Sequence, residues 1–115
     1  MTDGARTPEE LEALFEDAFM LRDFGAVAHL FEVGAVLVAG GGLRQARGRQ
    51  EIVRLTTEMW DSECIYLSGT QRVLQAGDAA LVLGGHGVNM VRRGHDRSWR
   101  YVISFLNSEP ASKGE

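Results

Sequence analysis

The chain has a single cysteine, Cys64, in 115 residues, so no disulfide can form within it. Its opening stretch, "MTDGARTPEE", lacks both the basic start and the apolar run of a secretory signal, and the chain reads as cytoplasmic. Long apolar runs are missing too. "AALVL", residues 79–83, stops far short of the ~20 consecutive apolar residues that a membrane-crossing helix needs. Basic charge is not in excess: 12 Lys and Arg against 16 Asp and Glu give a formal net charge of −4. Nucleic-acid phosphates and anionic lipid surfaces call for the opposite balance, so neither is an expected partner. The length suits one domain that buries about 65% of its unfolded surface, with no room for a second.

Several chemical signatures are absent as well. "GGGLRQARG", residues 40–48, offers glycines ahead of arginines, but Gly42 and Gly48 have five residues between them and Arg49-Gln50 follows, which is not a P-loop. A dinucleotide fingerprint would need a third glycine where Gln45 stands. The stretch therefore reads as a turn between the strand "AVLVA" and a short partner "LRQAR", and Arg44, Arg47, Arg49 and Arg54 read as a solvated face. Cys64, His29, His86 and His95 show none of the close pairing of zinc sites, and His29 with Glu32, one helical turn apart, reads as an exposed pair. No "GxSxG" elbow accompanies the serines. The sequence thus implies no metal and no cofactor.

What is present is a clear order of elements. Thr7-Pro8-Glu9-Glu10 is a helix start, with a threonine cap, proline at the first helical position and a glutamate placed to reach back. It predicts a helix over about 8–22, with Leu11, Leu14, Phe15 and Ala18 on its apolar face and Phe19 and Leu21 widening it. Asp23 caps a second helix predicted over 24–32, with Val27, Leu30 and Phe31 buried and Gly34 ending it. After "AVLVA" and "LRQAR", the segment "RQEIVRLTTEMW" predicts a third helix, since Ile52, Leu55 and Met59 recur at helical spacing. Two long strands are then expected, "CIYLSGTQRVLQA" and "AALVLGGHGVNMV", joined by the hairpin signal Gly77-Asp78. "WRYVISFLN" is the last expected strand, followed by a polar tail. Helices first and a strand meander with one inserted helix give an α+β domain of order ααββαβββ, its helices on one face of an antiparallel sheet. Residues 1–7 form an extension, 8–107 the domain and 108–115 an expected disordered tail.

This order, together with "DFGAVAHLFEVGAVLV", "ARGRQEI", "VLQAGDAALVLG" and "WRYVI", resembles the SnoaL-like branch of the nuclear transport factor 2 (NTF2-like) superfamily, which includes ketosteroid isomerases and polyketide cyclases. The resemblance covers roughly residues 8–107. It implies a cystatin-like cone, with a curved sheet wrapped around the first helix and a mostly apolar cavity between sheet and helices. It also implies a homodimer formed through the outer sheet face, where Tyr66, Trp99 and Tyr101 are expected.

Ketosteroid isomerases move a proton with a carboxylate base while a tyrosine and a protonated aspartic acid stabilise the developing oxyanion. On the matching register, Ala39 stands at the base position, Phe15 at the tyrosine position and Asn89 at the aspartic acid position. Only Asn89 retains chemistry there, because an amide donates to an oxygen without any pKa shift. The implied site is a wall of Phe15, Phe19, Met59, Trp60, Gly87, Val91, Ser104 and Leu106, with Asn89 and His86 as candidate catalytic groups. His86 falls on the face opposite Asn89 if the strand stays regular, and inward if Gly84-Gly85 forms a bulge. Asp61 and Glu63 near the mouth are further acid–base candidates. Two readings stay open. One is a protein that binds an apolar, oxygen-bearing small molecule and isomerises, cyclises or dehydrates it. The other is a noncatalytic binding, dimerisation or adaptor module, which Ala39 and Phe15 favour.

Overall fold

The computed structural model describes residues 4–39, 44–61, 64–65, 70–84, 87–106 and 109–110. Its elements are α1 (Pro8–Leu21), α2 (Phe24–His29), β1 (Phe31–Ala39), β2 (Arg44–Arg47), α3 (Gly48–Asp61), β3 (Cys64–Ile65), β4 (Thr70–Ala76), β5 (Ala79–Gly84), β6 (Gly87–Arg93), β7 (Trp99–Leu106) and β8 (Glu109–Pro110). Helices followed by a sheet with one inserted helix make an α+β architecture, consistent with ααββαβββ.

The helix starts follow local chemistry. The Thr7 side chain accepts from the Glu10 N–H, and Glu10 reaches back to the Arg6 N–H at 2.6 Å, one residue beyond the cap. Burying Leu11, Phe15 and Phe19 then fixes α1 on the sheet, each large apolar side chain contributing about 1.5–3 kcal/mol. Asp23 accepts from the Ala26 N–H at 3.1 Å and starts α2.

The second helix is shorter than its sequence pattern predicts. It ends at His29, and Phe31 and Gly34 belong to β1. Tertiary hydrogen bonds explain the early exit: the Leu30 carbonyl accepts from the Tyr101 N–H at 2.8 Å, and the Phe31 carbonyl accepts from Arg49 Nε at 2.9 Å. Phe31 is thereby drawn beside β7 as a strand residue.

Six strands form one sheet in the order β2-β1-β7-β6-β5-β4. It is mixed, not purely antiparallel as expected, because β1 and β7 run parallel. The chain enters β1, turns back into β2 at one edge, crosses through α3, and walks home from the far edge as a meander from β4 to β7. Each of the two expected long strands is divided. "CIYLSGTQRVLQA" gives β3, which pairs with β8, and β4, which pairs with β5. "AALVLGGHGVNMV" gives β5 and β6, which pair with each other, Gly84 facing Gly87. The Gly77-Asp78 hairpin joins β4 and β5, with Gly77 at φ 62°, a value glycine adopts without Cβ strain. Of the tail, Glu109–Pro110 pairs with β3.

A register shift decides which face β7 presents. Met90 faces Ile103 and Val91 faces Tyr101, so Val102 is an extra residue and the strand bulges there. Trp99 and Tyr101 point to the helices and are 2% and 1% exposed, contrary to the expected placement on the outer face. Beyond the bulge Ser104 turns inward, while Ile103 and Phe105 turn outward. Tyr66 lies outside the described residues.

Candidate functional site

The inner face of the sheet carries a polar cluster inside the aromatic core. Glu12, on α1 beside Leu11 and Phe15, is only 5% exposed. Its Oε2 accepts from the Tyr101 hydroxyl at 2.6 Å and from Asn89 Nδ2 at 3.1 Å. Asn89 Oδ1 in turn accepts from Ser104 Oγ at 2.8 Å and from the Phe105 N–H at 3.1 Å. An isolated carboxylate taken out of water is strongly disfavoured, and hydrogen bonds to the charged form are what make such burial tolerable. The cluster joins α1, β6 and β7 through their side chains.

Aromatic rings surround it. Phe15 sets its ring edge against Phe31 at 5.9 Å and Tyr101 at 5.7 Å, both with interplanar angles of 78°. Phe19 lies 6.0 Å from Phe15, and Phe31 lies 5.0 Å from Tyr101. Edge-to-face pairs of this kind are favourable beyond their buried area. Tyr101 therefore works twice: its ring completes the aromatic cluster while its hydroxyl reaches the carboxylate. Together the groups hold one carboxyl group among apolar walls.

Of the residues singled out from sequence, Asn89 and Ser104 meet directly, across the Asn89–Ser104 pair of β6 and β7. Phe15, Phe19, Met59 and Val91 are buried in the core. Ala39 is buried with no polar side chain to offer, opposite Arg44 and Leu106. Gly87 sits at the start of β6. His86 and Glu63 lie outside the described residues, as do the side chains of Trp60, Asp61 and Leu106. Glu12 and Tyr101 are the members that sequence reading missed. The signal for Glu12 was its helical spacing: it falls three residues before Phe15 and seven before Phe19, on the stripe that α1 buries.

The four arginines read as a solvated face have specific partners in part. Arg44 pairs with Glu58, and Arg49 donates to the Phe31 carbonyl at 2.9 Å. Glu32 lies in β1, beyond the end of α2, and forms a two-point pair with Arg92 at 2.6 and 2.9 Å.

The outer face of the same sheet is different in kind. Leu74, Leu81, Val88, Ile103 and Phe105 are all exposed there, and Leu74–Leu81–Met90–Ile103–Val36 form one continuous cross-strand row. Charged groups replace them toward one end, where Glu32 faces Arg92 and Asp96 faces Arg100. The Arg92 hydrogen bond holds the Glu32 carboxyl below its usual range, and Arg100 holds Asp96 well below its own.

No protein-family model matches the chain, and no curated protein matches it. Solved structures do. A protein of unknown function with a cystatin-like fold from Nostoc punctiforme is 19% identical, with a TM-score of 0.71 over 90% of this chain and 89% of that one. A ketosteroid isomerase-like protein from Erwinia carotovora atroseptica is 18% identical, with a TM-score of 0.70 over 87% of this chain and 92% of that one. An NTF2-like protein with a cystatin-like fold from Novosphingobium aromaticivorans is 19% identical, with a TM-score of 0.65 over 91% of this chain and 80% of that one. These likenesses establish a cystatin-like, NTF2-like fold, which hosts many unrelated activities. Among the described residues no helix is long and apolar enough to cross a membrane.

Proposed function

We propose that the chain is a SnoaL-like cytoplasmic protein that binds an apolar, oxygen-bearing small molecule inside its cone, and that Glu12 is the group that exchanges a proton with it. The observation that carries this reading is the buried Glu12 carboxylate, held by Tyr101 and Asn89 among phenyl rings. Isomerisation, cyclisation and dehydration beside a carbonyl all require a proton to be taken up and returned, and none needs a cofactor when a carboxylate is at hand. Ala39 cannot accept that proton. Glu12 approaches the same interior from the helix side, so the base is relocated from strand to helix. Asn89 and Tyr101 hold the carboxylate in place as donors, and a ligand hydroxyl would compete with them for it.

The test is a titration of isotope-labelled protein with 1-naphthol and with naphthalene, followed by NMR. Naphthol is expected to shift residues 12, 89, 101 and 104 and to bind more tightly than naphthalene. In Glu12→Gln its advantage falls about tenfold or more, the worth of a hydrogen bond to a charged group. Equal binding of the two probes, or shifts confined to other parts of the chain, would contradict the proposal. Proton exchange itself is read with 2-cyclohexen-1-one in deuterated water: label enters beside the carbonyl with the native chain and not with Glu12→Gln.

A homodimer through the outer sheet face is a second, compatible reading, supported by the exposed apolar row. Contiguous apolar patches of this kind mark association surfaces. The patch comprises Ile103, Phe105, Leu81, Leu74 and Val88, in place of the Trp99 and Tyr101 expected from sequence. Ile103→Glu is expected to convert the dimer to a folded monomer by sedimentation. A native chain that sediments as a monomer at all concentrations would overturn it.

A further inference from the structure

A cavity of about 380 Å³ opens between the segment before α1, α1 itself, α2 and the start of β7. One wall is the segment before α1, where the Trp99 N–H donates to the Ala5 carbonyl at 2.9 Å. Gly4 is pressed onto Ser98, just before β7: a Cβ added to it would lie 2.3 Å from Ser98 Oγ, so no larger residue closes the wall in this way. A second wall is the Leu14, Ala18 and Leu21 stripe of α1, adjacent to the stripe of Glu12, Phe15 and Phe19 that faces the sheet. Ala26 and Leu30 supply the α2 side, and buried Trp99 also lines the space. The volume lies within the roughly 300–1,000 Å³ of small-molecule sites, and the walls are mainly apolar with a few polar groups, as in such sites.

The polar groups select the ligand's charge. Asp23 is committed to the start of α2; Arg100, the one cationic side chain among the described residues lining the cavity, is paired with Asp96, which also accepts from the Ser98 N–H, so this pair adds no net charge. Asp17 also lines the cavity and has no hydrogen bond or ion pair among the described residues. The last turn of α1, whose carbonyl end carries partial negative charge, contains no basic residue. His29 lines the cavity as well, and a neutral imidazole can accept a hydrogen bond. We propose that this cavity binds a small organic cation, an ammonium group on a compact apolar body, with Asp17 receiving the charge and Trp99 and the leucines receiving the body. Its lining includes none of Glu12, Asn89, Tyr101 and Ser104, so it does not depend on the role of Glu12.

Benzylamine, benzyl alcohol and benzoate, titrated in turn into the labelled full chain, test it through the Trp99 indole N–H and the amides of Asp17, Ala26 and Ser98. Benzylamine is expected to shift these signals and to bind about fivefold more tightly than benzyl alcohol, the effect of one partly solvated charge pair. Benzoate is expected not to shift them. Asp17→Asn, at an exposed position, reduces benzylamine binding to the level of the alcohol, and Ala26→Phe, which fills the space, abolishes the shifts in a chain that still unfolds cooperatively. Equal affinity for amine and alcohol, an unchanged affinity in Asp17→Asn, or shifts appearing at Glu12, Asn89 and Ser104 in place of the cavity residues would overturn the proposal.

Discussion

Along β5, β6 and β7, neighbouring side chains alternate between two very different surroundings. The inner set, Val82, Asn89, Val91, Tyr101 and Ser104, is buried under α1 and contains the polar cluster around Glu12; the outer set, Leu81, Val88, Ile103 and Phe105, is apolar and exposed. The usual arrangement puts apolar groups inside and polar groups outside. Here polar groups on the inner side are hydrogen-bonded to one another, while apolar ones on the outer side neighbour one another across the strands and stay exposed. The contrast separates two surfaces: the inner face buries a hydrogen-bonded polar cluster, and the outer face leaves apolar side chains exposed.

Truncation should break the two faces unequally. Phe15→Ala removes a ring that contacts Phe19, Phe31 and Tyr101, and is expected to destabilise the chain by about 3–5 kcal/mol in chemical denaturation. Phe105→Ala on the exposed face is expected to change monomer stability by less than about 1 kcal/mol. Comparable losses at both positions would mean that the outer face is covered within a single chain.

A smaller change sharpens the account of the polar cluster. Tyr101→Phe keeps the ring and deletes only the hydroxyl that donates to Glu12, so a loss of about 2 kcal/mol is expected, the range for a hydrogen bond to a charged group. A variant as stable as the native chain would show that the hydroxyl is not needed to keep Glu12 buried.

The smallest effect belongs to the charged end of the outer face. Glu32 has a folded-state pKa below its ordinary 4.5, because Arg92 hydrogen-bonds its charged form. Its stabilising contribution is therefore complete above the ordinary value and is lost as pH falls through the lowered one. Glu32→Gln is expected to cost less than about 1 kcal/mol at pH 7, with the difference from the native chain shrinking below about pH 4. A difference that grows in acid would reverse the assignment.

Much of the fold could be read from short-range chemistry. The Thr7 cap, the Asp23 cap and the Gly77-Asp78 hairpin are signals contained within a few residues, and each appears where expected. The parallel β1–β7 pair was not legible, because nothing local marks which distant strand lies beside β1. The division of "AALVLGGHGVNMV" was hidden for another reason: Gly84 and Gly87 fit the alternation of one strand as well as they fit two strands facing each other. For β7, alternation placed Trp99 with Tyr101 correctly on one side, but with Ile103 and Phe105 also apolar it could not say which side was buried. At the candidate site Asn89 was found from the resemblance, whereas Glu12 was overlooked because a glutamate on an amphipathic helix usually faces water.

The proposed place of Glu12 at the wall of a ligand site is tested by a crystal structure of the full chain grown with 1-naphthol. The naphthol ring is expected among Phe15, Phe19 and Tyr101, with its hydroxyl donating to the Glu12 carboxylate at a hydrogen-bonding distance of about 2.5–3.0 Å. A cone filled by its own side chains, with naphthol absent and Glu12 bonded as before to Tyr101 and Asn89, would contradict it and leave the cluster as a structural clamp between helix and sheet.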